Sequence, residues 1–122
     1  MILGLGLDVV SVERLERILD GPLGQRFQQR VFTEKEQEYC QSRVTSLLHF
    51  AGRFAAKEAF AKALGIPTGL AWTDVEVASG GAPHFDLSPH GQEVLAERKV
   101  SRVHLTLSHD GGLAAAVVVM EG

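Results

Sequence analysis

Bulky apolar residues alternate with small or polar residues at the start of the chain, a pattern that is typical of a β-strand. One side of this predicted strand carries Leu3, Leu5, Leu7 and Val9, and the other carries Gly4, Gly6 and Asp8. Because glycines in a strand leave the backbone open, we expect close approach of another group beside Asp8.

Helical patterns follow, and their boundaries are marked by capping residues. The longest runs from about Ser46 to Leu64, where Gly65 ends it and Pro67 prevents continuation. Shorter helices are indicated where Ser11 can act as N-cap before Gly21-Pro22, where Thr33 and Glu36 have capping-box spacing, and where Ser88-Pro89 begins a helix.

Strand patterns dominate the second half of the chain. They are Trp72 to Ala78, then Pro83 to Leu87 after the turn at Ser79-Gly80-Gly81, Val100 to Ser108, and Leu113 to Met120 after the hairpin turn at Asp110-Gly111-Gly112. There is no linker, repeat or low-complexity tract. The sequence therefore predicts one α+β domain over residues 1–122.

Composition excludes several function classes. The 122 residues are 45% hydrophobic and 22% charged, which is typical of a globular protein. A formal charge of −3 gives no basic field for nucleic acid. The single cysteine, Cys40, excludes an internal disulfide and fits a reducing compartment. The chain shows no secretory signal, and the apolar run from Leu113 to Met120 is too short to cross a bilayer. We therefore expect a cytoplasmic protein without a membrane partner.

Glu58 is an unusual residue within the long helical pattern. On a helical wheel it falls in the middle of an apolar stripe, with Lys62 one turn further along the same side. The stripe consists of Leu47, Ala51, Phe54, Ala55 and Ala61. A Glu58–Lys62 pair is worth only about 0.2–0.5 kcal/mol on a helix, less than the cost of burying a carboxylate. A structural pair and a functional carboxylate remain two interpretations of this pattern.

Asp8 raises the same question at the end of its strand, where an aspartate is more often a turn or capping residue. Two isolated carboxylates, Asp8 and Glu58, are a donor set that suits Mg²⁺ with water and phosphate oxygens. Sequence spacing alone does not bring them together.

Three motifs resemble the holo-acyl-carrier-protein synthase family of 4′-phosphopantetheinyl transferases. They are Gly4-Leu5-Gly6-Leu7-Asp8, the block from Gly52 to Gly65 that contains Phe54, Lys57, Glu58 and Lys62, and Leu105-Thr106-Leu107-Ser108-His109 with Ala114-Ala115-Ala116. The resemblance covers Met1 to about Val119. One departure is Asp110-Gly111-Gly112, which stands where a hydroxyl residue commonly follows Ser-His in the family.

The resemblance implies a fold, a reaction and an assembly. The fold is a mainly antiparallel sheet packed on a long central helix. The reaction transfers 4′-phosphopantetheine from coenzyme A to a serine of apo acyl carrier protein and releases adenosine 3′,5′-bisphosphate. The short, single-domain type that this chain resembles forms a homotrimer with active sites between subunits.

The resemblance also implies roles for the charged residues near the phosphates. Asp8 and Glu58 are expected to hold Mg²⁺, with Mn²⁺ as the alternative, and Lys62 to stabilise or protonate the leaving group. Either Glu58 or a metal-bound water is expected to take the serine proton, and the sequence does not choose between them. The alternative interpretation of Lys62 is an ordinary helix pair.

Two further groups of residues are expected to bind the substrates. Arg53 and Lys57, on the flank of the stripe, are expected to bind the 3′-phosphate of the coenzyme, and Ser108 with His109 a second phosphate or the adenine. Arg14 and Arg17, on the first helix, are expected to contact the acidic carrier. For each group an ordinary role in a solvated face or a turn is the alternative.

Two other functions remain open at this stage. One is a different Mg²⁺-dependent enzyme that cleaves the pyrophosphate of coenzyme A, and the other is an inactive carrier-binding module. The presence of Asp8, Glu58 and Lys62 favours an active enzyme.

Overall fold

The structure is a computed structural model that describes residues 1–122. Its strands are β1 (Ile2–Ser11), β2 (Val75–Ala78), β3 (His84–Leu87), β4 (Arg102–Asp110) and β5 (Leu113–Glu121). Its helices are α1 (Val12–Asp20), α2 (Gly24–Val31), α3 (Glu34–Gln41), α4 (Ser46–Leu64) and α5 (Pro89–Glu97), with a short 3₁₀ helix at Trp72–Asp74. The predicted α+β class is confirmed.

The main sheet has three antiparallel strands in the order β1-β5-β4. Asp8 pairs with Ala116 of β5, and Ala116 pairs in turn with Leu107 of β4. β2 and β3 form a separate antiparallel pair. Asp8 therefore lies on an edge strand of the main sheet, beside a helix that packs on one face of that sheet.

The glycines of β1 allow α4 to pack directly against the strand backbone. A Cβ atom on Gly4 would overlap the carbonyl oxygen of Ala63, and one on Gly6 would overlap that of Ala59. The predicted close approach is therefore confirmed, and the approaching group is α4. Asp8 is two residues beyond Gly6 and so lies on the same face of the strand.

The apolar stripe that the sequence predicts on α4 is not the most buried side of the helix. Of the stripe residues only Ala51 and Ala55 are buried, whereas Leu47, Phe54 and Ala61 are half-buried. The other buried residues of α4 are Phe50, Arg53, Ala56, Lys57, Ala59, Phe60, Ala63 and Leu64. The placement of Glu58 at the centre of a buried face was therefore wrong, because this helix is apolar on nearly all sides and its pattern does not define one direction.

The capping signals predicted from the sequence are present. Ser11 Oγ accepts from the Arg14 amide at 3.2 Å, and Ser88 Oγ accepts from that of Gly91 at 3.0 Å. Thr33 and Glu36 form the reciprocal capping box. These hydrogen bonds satisfy donors that a helix start leaves free.

Some boundaries differ from the prediction, and one helix was missed. Trp72–Asp74 forms a 3₁₀ helix before β2, and β4 begins at Arg102 and extends to Asp110. The missed helix, α2, begins at Gly24, where a Cβ atom would overlap the Leu19 carbonyl oxygen. Gly24 permits close packing of α2 on α1, although a glycine two residues after Pro22 favours a loop assignment from sequence.

The outer face of the main sheet, turned away from α4, is apolar and exposed along β1 and β5. Leu5 is 64% exposed, and the neighbouring exposed residues are Leu3, Leu7, Val9, Leu113 and Val117. On β4 the same face carries polar residues, including His104 and Thr106. None of the helices is both long enough and apolar enough to span a membrane.

Candidate active site

Asp8 and Lys62 meet where β1 packs on α4. Lys62 Nζ lies 3.0 Å from Asp8 Oδ1 and donates a hydrogen bond to the Leu7 carbonyl at 3.0 Å. The Asp8 side chain is largely buried, whereas that of Lys62 is about half exposed. The alternative interpretation of Lys62, an ordinary helix pair with Glu58, is therefore not what the structure shows, because Lys62 pairs with Asp8 instead.

Glu58 lies in the same cavity as Asp8. This cavity has a volume of about 270 Å³ and is bordered by β1, α1 and α4. Burial raises the pKa of the Glu58 carboxyl, the negative charge of Asp8 raises it further, and Lys62 partly opposes both. The structure therefore brings Asp8, Glu58 and Lys62 together. Their positions in the sequence did not predict this proximity.

The two carboxylates have the donor chemistry of a site for a hard cation. Burial and, to a smaller extent, the charge of Asp8 raise the pKa of Glu58, and a bound cation would stabilise both carboxylates in their charged form. No cluster of three or more His, Cys, Asp and Glu side chains is present in the chain. Asp8 and Glu58 thus fit a cation such as Mg²⁺ that takes its remaining ligands from water and phosphate, and they do not fit an all-protein metal cage.

Glu58 also borders a second cavity, of about 260 Å³. The lining is mainly apolar and includes Phe60, Ile66, Leu70 and Trp72. Glu58 therefore borders both a cavity of mixed lining, which adjoins α1, and a mainly apolar cavity, which adjoins the segment between α4 and β2.

Lys57 is buried and does not lie on an open flank as predicted. It is 2% exposed, and its Nζ lies 2.7 Å from Glu36 Oε1, 2.8 Å from the Val31 carbonyl and 3.1 Å from that of Trp72. These three partners occupy all three N–H donors of the ammonium group. The predicted placement of Lys57 on an open flank is therefore wrong, and in this structure Lys57 connects three segments of the core.

Arg53 is also buried, at 6% exposure, and so does not lie on an open flank either. Its guanidinium carbon lies 4.4 Å from the centre of the Tyr39 ring, and that of Arg43 lies 4.5 Å from the same centre. Arg53 Nε is buried without a hydrogen-bond partner. Arg53 thus retains donor capacity, and it forms a cationic cluster with Arg43, which no sequence motif identified.

Two histidines adjoin this cationic cluster. Burial lowers the pKa of His49, and the positive charges of Arg53, Arg43 and His109 lower it further. Because adding another cation here is unfavourable, the cluster is a place where an anion would be stabilised.

Ser108 and His109 are exposed at the end of β4. His109 borders an open cavity of about 610 Å³ with the N-terminal residues of α4 and the hairpin turn at Gly111-Gly112. An α-helix turns by about 100° per residue, so His49 lies on the opposite side of α4 from Glu58. Arg53 lies about 140° around the helix axis from Glu58. The cationic cluster and the carboxylate pair therefore occupy different sides of α4 in one chain.

Arg14 borders the cavity that contains Asp8 and Glu58, and Arg17 is exposed on the same helix. Beside them Ile18 is 41% and Leu23 62% exposed. Arg26 and Arg30 extend the positive charge along α2. The arginines of α1 thus belong to a mixed apolar and basic surface that continues on α2, a helix that was not predicted.

Comparison with known proteins gives full-length similarity to one family. The 4′-phosphopantetheinyl transferase superfamily matches residues 4–118. The holo-[acyl-carrier-protein] synthase of Anaeromyxobacter dehalogenans (strain 2CP-C) is 51% identical over 100% of this chain and 98% of its own length. That of Myxococcus xanthus is 49% identical over 98% and 95%, respectively.

Solved structures of similar proteins have the same fold. The crystal structure of holo-[acyl-carrier-protein] synthase from Neisseria meningitidis has a TM-score of 0.92 and 34% identity, with 100% of both chains covered. The enzyme from Helicobacter pylori, solved in complex with coenzyme A, has a TM-score of 0.80 and 32% identity, with 96% of this chain and 99% of that chain covered.

Proposed function

Because the chain belongs to the 4′-phosphopantetheinyl transferase superfamily, we propose that it transfers the 4′-phosphopantetheine group of coenzyme A to a serine of apo acyl carrier protein. The products are holo acyl carrier protein and adenosine 3′,5′-bisphosphate. The observation that carries this proposal is the meeting of Asp8, Glu58 and Lys62, from two separate motifs, beside the cavity that Arg14 borders. Relatives of about half-identical sequence with the name holo-[acyl-carrier-protein] synthase support it.

The transfer forms a bond between the serine oxygen and the β-phosphorus of coenzyme A and breaks the pyrophosphate linkage. Phosphoryl transfer requires positioning and charge stabilisation from the protein. Lys62, half exposed and in contact with Asp8, stabilises the leaving phosphate or protonates it. Glu58, which borders both cavities, accepts the serine proton or orients the water that does so.

Asp8 and Glu58 are our proposed ligands for Mg²⁺, with Mn²⁺ as the alternative. When bound, the cation supplies neutralisation of charge on the diphosphate. The proximity of two carboxylates, one with a raised pKa, supports this assignment. It also gives Glu58 a reason to occupy a half-buried position.

The mixed surface of α1 and α2 is our proposed docking site for the carrier. Its exposed apolar residues, Ile18 and Leu23, lie among exposed arginines that suit an acidic partner. The arginines are Arg14, Arg17, Arg26 and Arg30. This surface leads to the Asp8 cavity, so a serine presented by a carrier on α1 would reach Glu58.

A homotrimer with active sites between subunits completes the proposal. The coenzyme carries a pyrophosphate and a 3′-phosphate, whereas the carboxylates and the cluster of Arg43, Arg53 and His109 lie on different sides of α4. In a trimer, a second copy would place its cluster of Arg43, Arg53 and His109 beside the Asp8 and Glu58 carboxylates of the first copy. The exposed apolar outer face of β1 and β5 is a surface that such an assembly would bury.

We expect this reaction in the cytoplasm. The one cysteine, Cys40, is free and buried, and burial raises its pKa to about 11. A thiol of this kind is unreactive and suits a reducing compartment.

The mass of apo acyl carrier protein tests the proposed function. The carrier is incubated with the protein, coenzyme A and Mg²⁺, and a variant with alanine at its acceptor serine is the control. A gain of one phosphopantetheine on the intact carrier alone is the expected result. Cleavage of coenzyme A with an unmodified carrier would identify a hydrolase, and no change in either substrate would identify a binding module.

A further inference from the structure

The segment between α4 and the 3₁₀ helix forms one wall of the apolar cavity beside Glu58. Ile66, Thr68, Leu70 and Ala71 line the cavity from this segment. The segment has no regular secondary structure, and Ile66 is 72% exposed. Its position therefore depends on contacts with other parts of the chain.

Arg98 supplies the largest set of those contacts. Its Nη1 donates to the Leu64 carbonyl at 2.7 Å and to that of Gly65 at 3.4 Å. Its Nη2 donates to the carbonyls of Pro67 at 3.3 Å and Thr68 at 3.2 Å. One planar guanidinium group thus holds four carbonyl oxygens in a fixed geometry that the single ammonium of lysine does not reproduce.

The hydrogen bond from Arg98 to the Leu64 carbonyl connects the cavity wall to α4. Leu64 is the last residue of α4, and its carbonyl has no partner within the helix. α4 also carries Glu58 and Lys62. Arg98 therefore fixes the cavity wall relative to the helix that holds the reacting groups.

The end of the segment next to the 3₁₀ helix is held by other hydrogen bonds. The Gly69 carbonyl lies 3.0 Å from His90 Nε2, and the Ala71 amide donates to Asp74 Oδ2 at 2.8 Å. Loss of Arg98 would consequently release the half of the wall next to α4 and leave the other half attached. We expect a local change in this segment and not a loss of the fold.

We infer that Arg98 is a positioning residue for the donor side of the reaction. It holds residues 65–68 as the wall of the apolar cavity, and an uncharged part of coenzyme A next to its phosphates packs against that wall. This inference rests on the proposed function. The carrier surface on α1 borders the other cavity, so the effect is on the donor and not on the acceptor.

Steady-state kinetics of Arg98→Ala tests this role. We expect the KM for coenzyme A to rise about tenfold, since hydrogen bonds from a charged group are lost, while the KM for carrier protein stays unchanged. Arg98→Lys should recover part of the loss. The matched control is Lys99→Ala, which removes a charge at the adjacent exposed position, where the lysine makes no side-chain hydrogen bond.

Two measurements separate this role from a general effect on folding. Hydrogen–deuterium exchange without ligand should be faster in residues 65–68 of Arg98→Ala and unchanged in α1. Fluorescence of Trp72, the one tryptophan and a cavity residue, should report weaker coenzyme A binding. The inference is overturned if both the KM for coenzyme A and the exchange match the wild type, or if both substrates' KM values rise together. A wild-type protein that transfers nothing would instead contradict the proposed function, and the exchange data would still test the wall.

Discussion

Lys62 Nζ lies 3.0 Å from the Asp8 carboxylate, although 54 positions separate the two residues in the sequence. The contact exists because Gly4 and Gly6 allow α4 to pack on the backbone of β1. It places a cation and two carboxylates at one edge of the helix, where a diphosphate and a metal ion would meet opposite charges. Gly4 and Gly6 of the first motif therefore determine how close Glu58 and Lys62 of the second motif come to Asp8.

Asp8→Asn and Glu58→Gln should each reduce transfer at least about a hundredfold. Both variants keep the shape of the side chain and remove its charge. Calorimetric titration with Mg²⁺ in the presence of coenzyme A should detect weaker binding in both. Glu58→Gln should not lower the melting temperature, because it removes a charge that burial and the nearby Asp8 both disfavour.

Glu97→Gln is the matched control, since Glu97 is exposed and forms no ion pair. It should behave like the wild type in activity and in Mg²⁺ binding. Equal Mg²⁺ affinity in the wild type, Asp8→Asn and Glu58→Gln would refute the proposed metal ligands.

Lys57→Met should lower stability by about 3–5 kcal/mol, because it leaves the Glu36 carboxylate buried without a cation. Urea unfolding measures this loss. Adding Glu36→Gln in a double variant should recover part of it, because the uncompensated charge is removed. A stable Lys57→Met protein whose only defect is a poorer affinity for coenzyme A would contradict this structural role and support the predicted phosphate contact.

The sequence predicted the extent of α4 and three helix caps because these depend on neighbouring residues. It did not predict the buried side of α4, since a helix that is apolar on nearly all sides packs according to its surroundings. The wheel placed Lys57 on a flank because its partner Glu36 belongs to another helix. Contacts between distant elements, such as Arg43 and Arg53 on Tyr39, have no local signal.

Arg14→Glu and Arg53→Ala should affect different substrates. Arg14 is exposed on the proposed docking surface for the carrier, so Arg14→Glu should raise the KM for carrier and flatten its salt dependence. Arg53→Ala should raise the KM for coenzyme A and reduce discrimination against the 3′-dephospho form. Steady-state kinetics with each substrate varied in turn measures both effects, and melting temperatures check that the buried Arg53 can be removed without unfolding.

The assignment of Arg14 has its own contradicting result. If Arg14→Glu weakens both substrates equally, α1 is not the docking surface. If Arg53→Ala distinguishes the two forms of the coenzyme as well as the wild type does, the cluster on Tyr39 does not bind the 3′-phosphate.

Asp8, Glu58 and Lys62 of one copy are proposed to act with Arg53 and His109 of another, and subunit mixing tests this most directly. Glu58→Gln and His109→Ala, each strongly impaired alone, are co-expressed in equal amounts, and the rate of carrier modification is measured. About one quarter of the wild-type rate is expected, because in randomly mixed rings a quarter of the shared sites receive an intact residue from each neighbour. A rate no higher than that of the separate variants, in complexes proven to contain both chains, would contradict a site shared between copies.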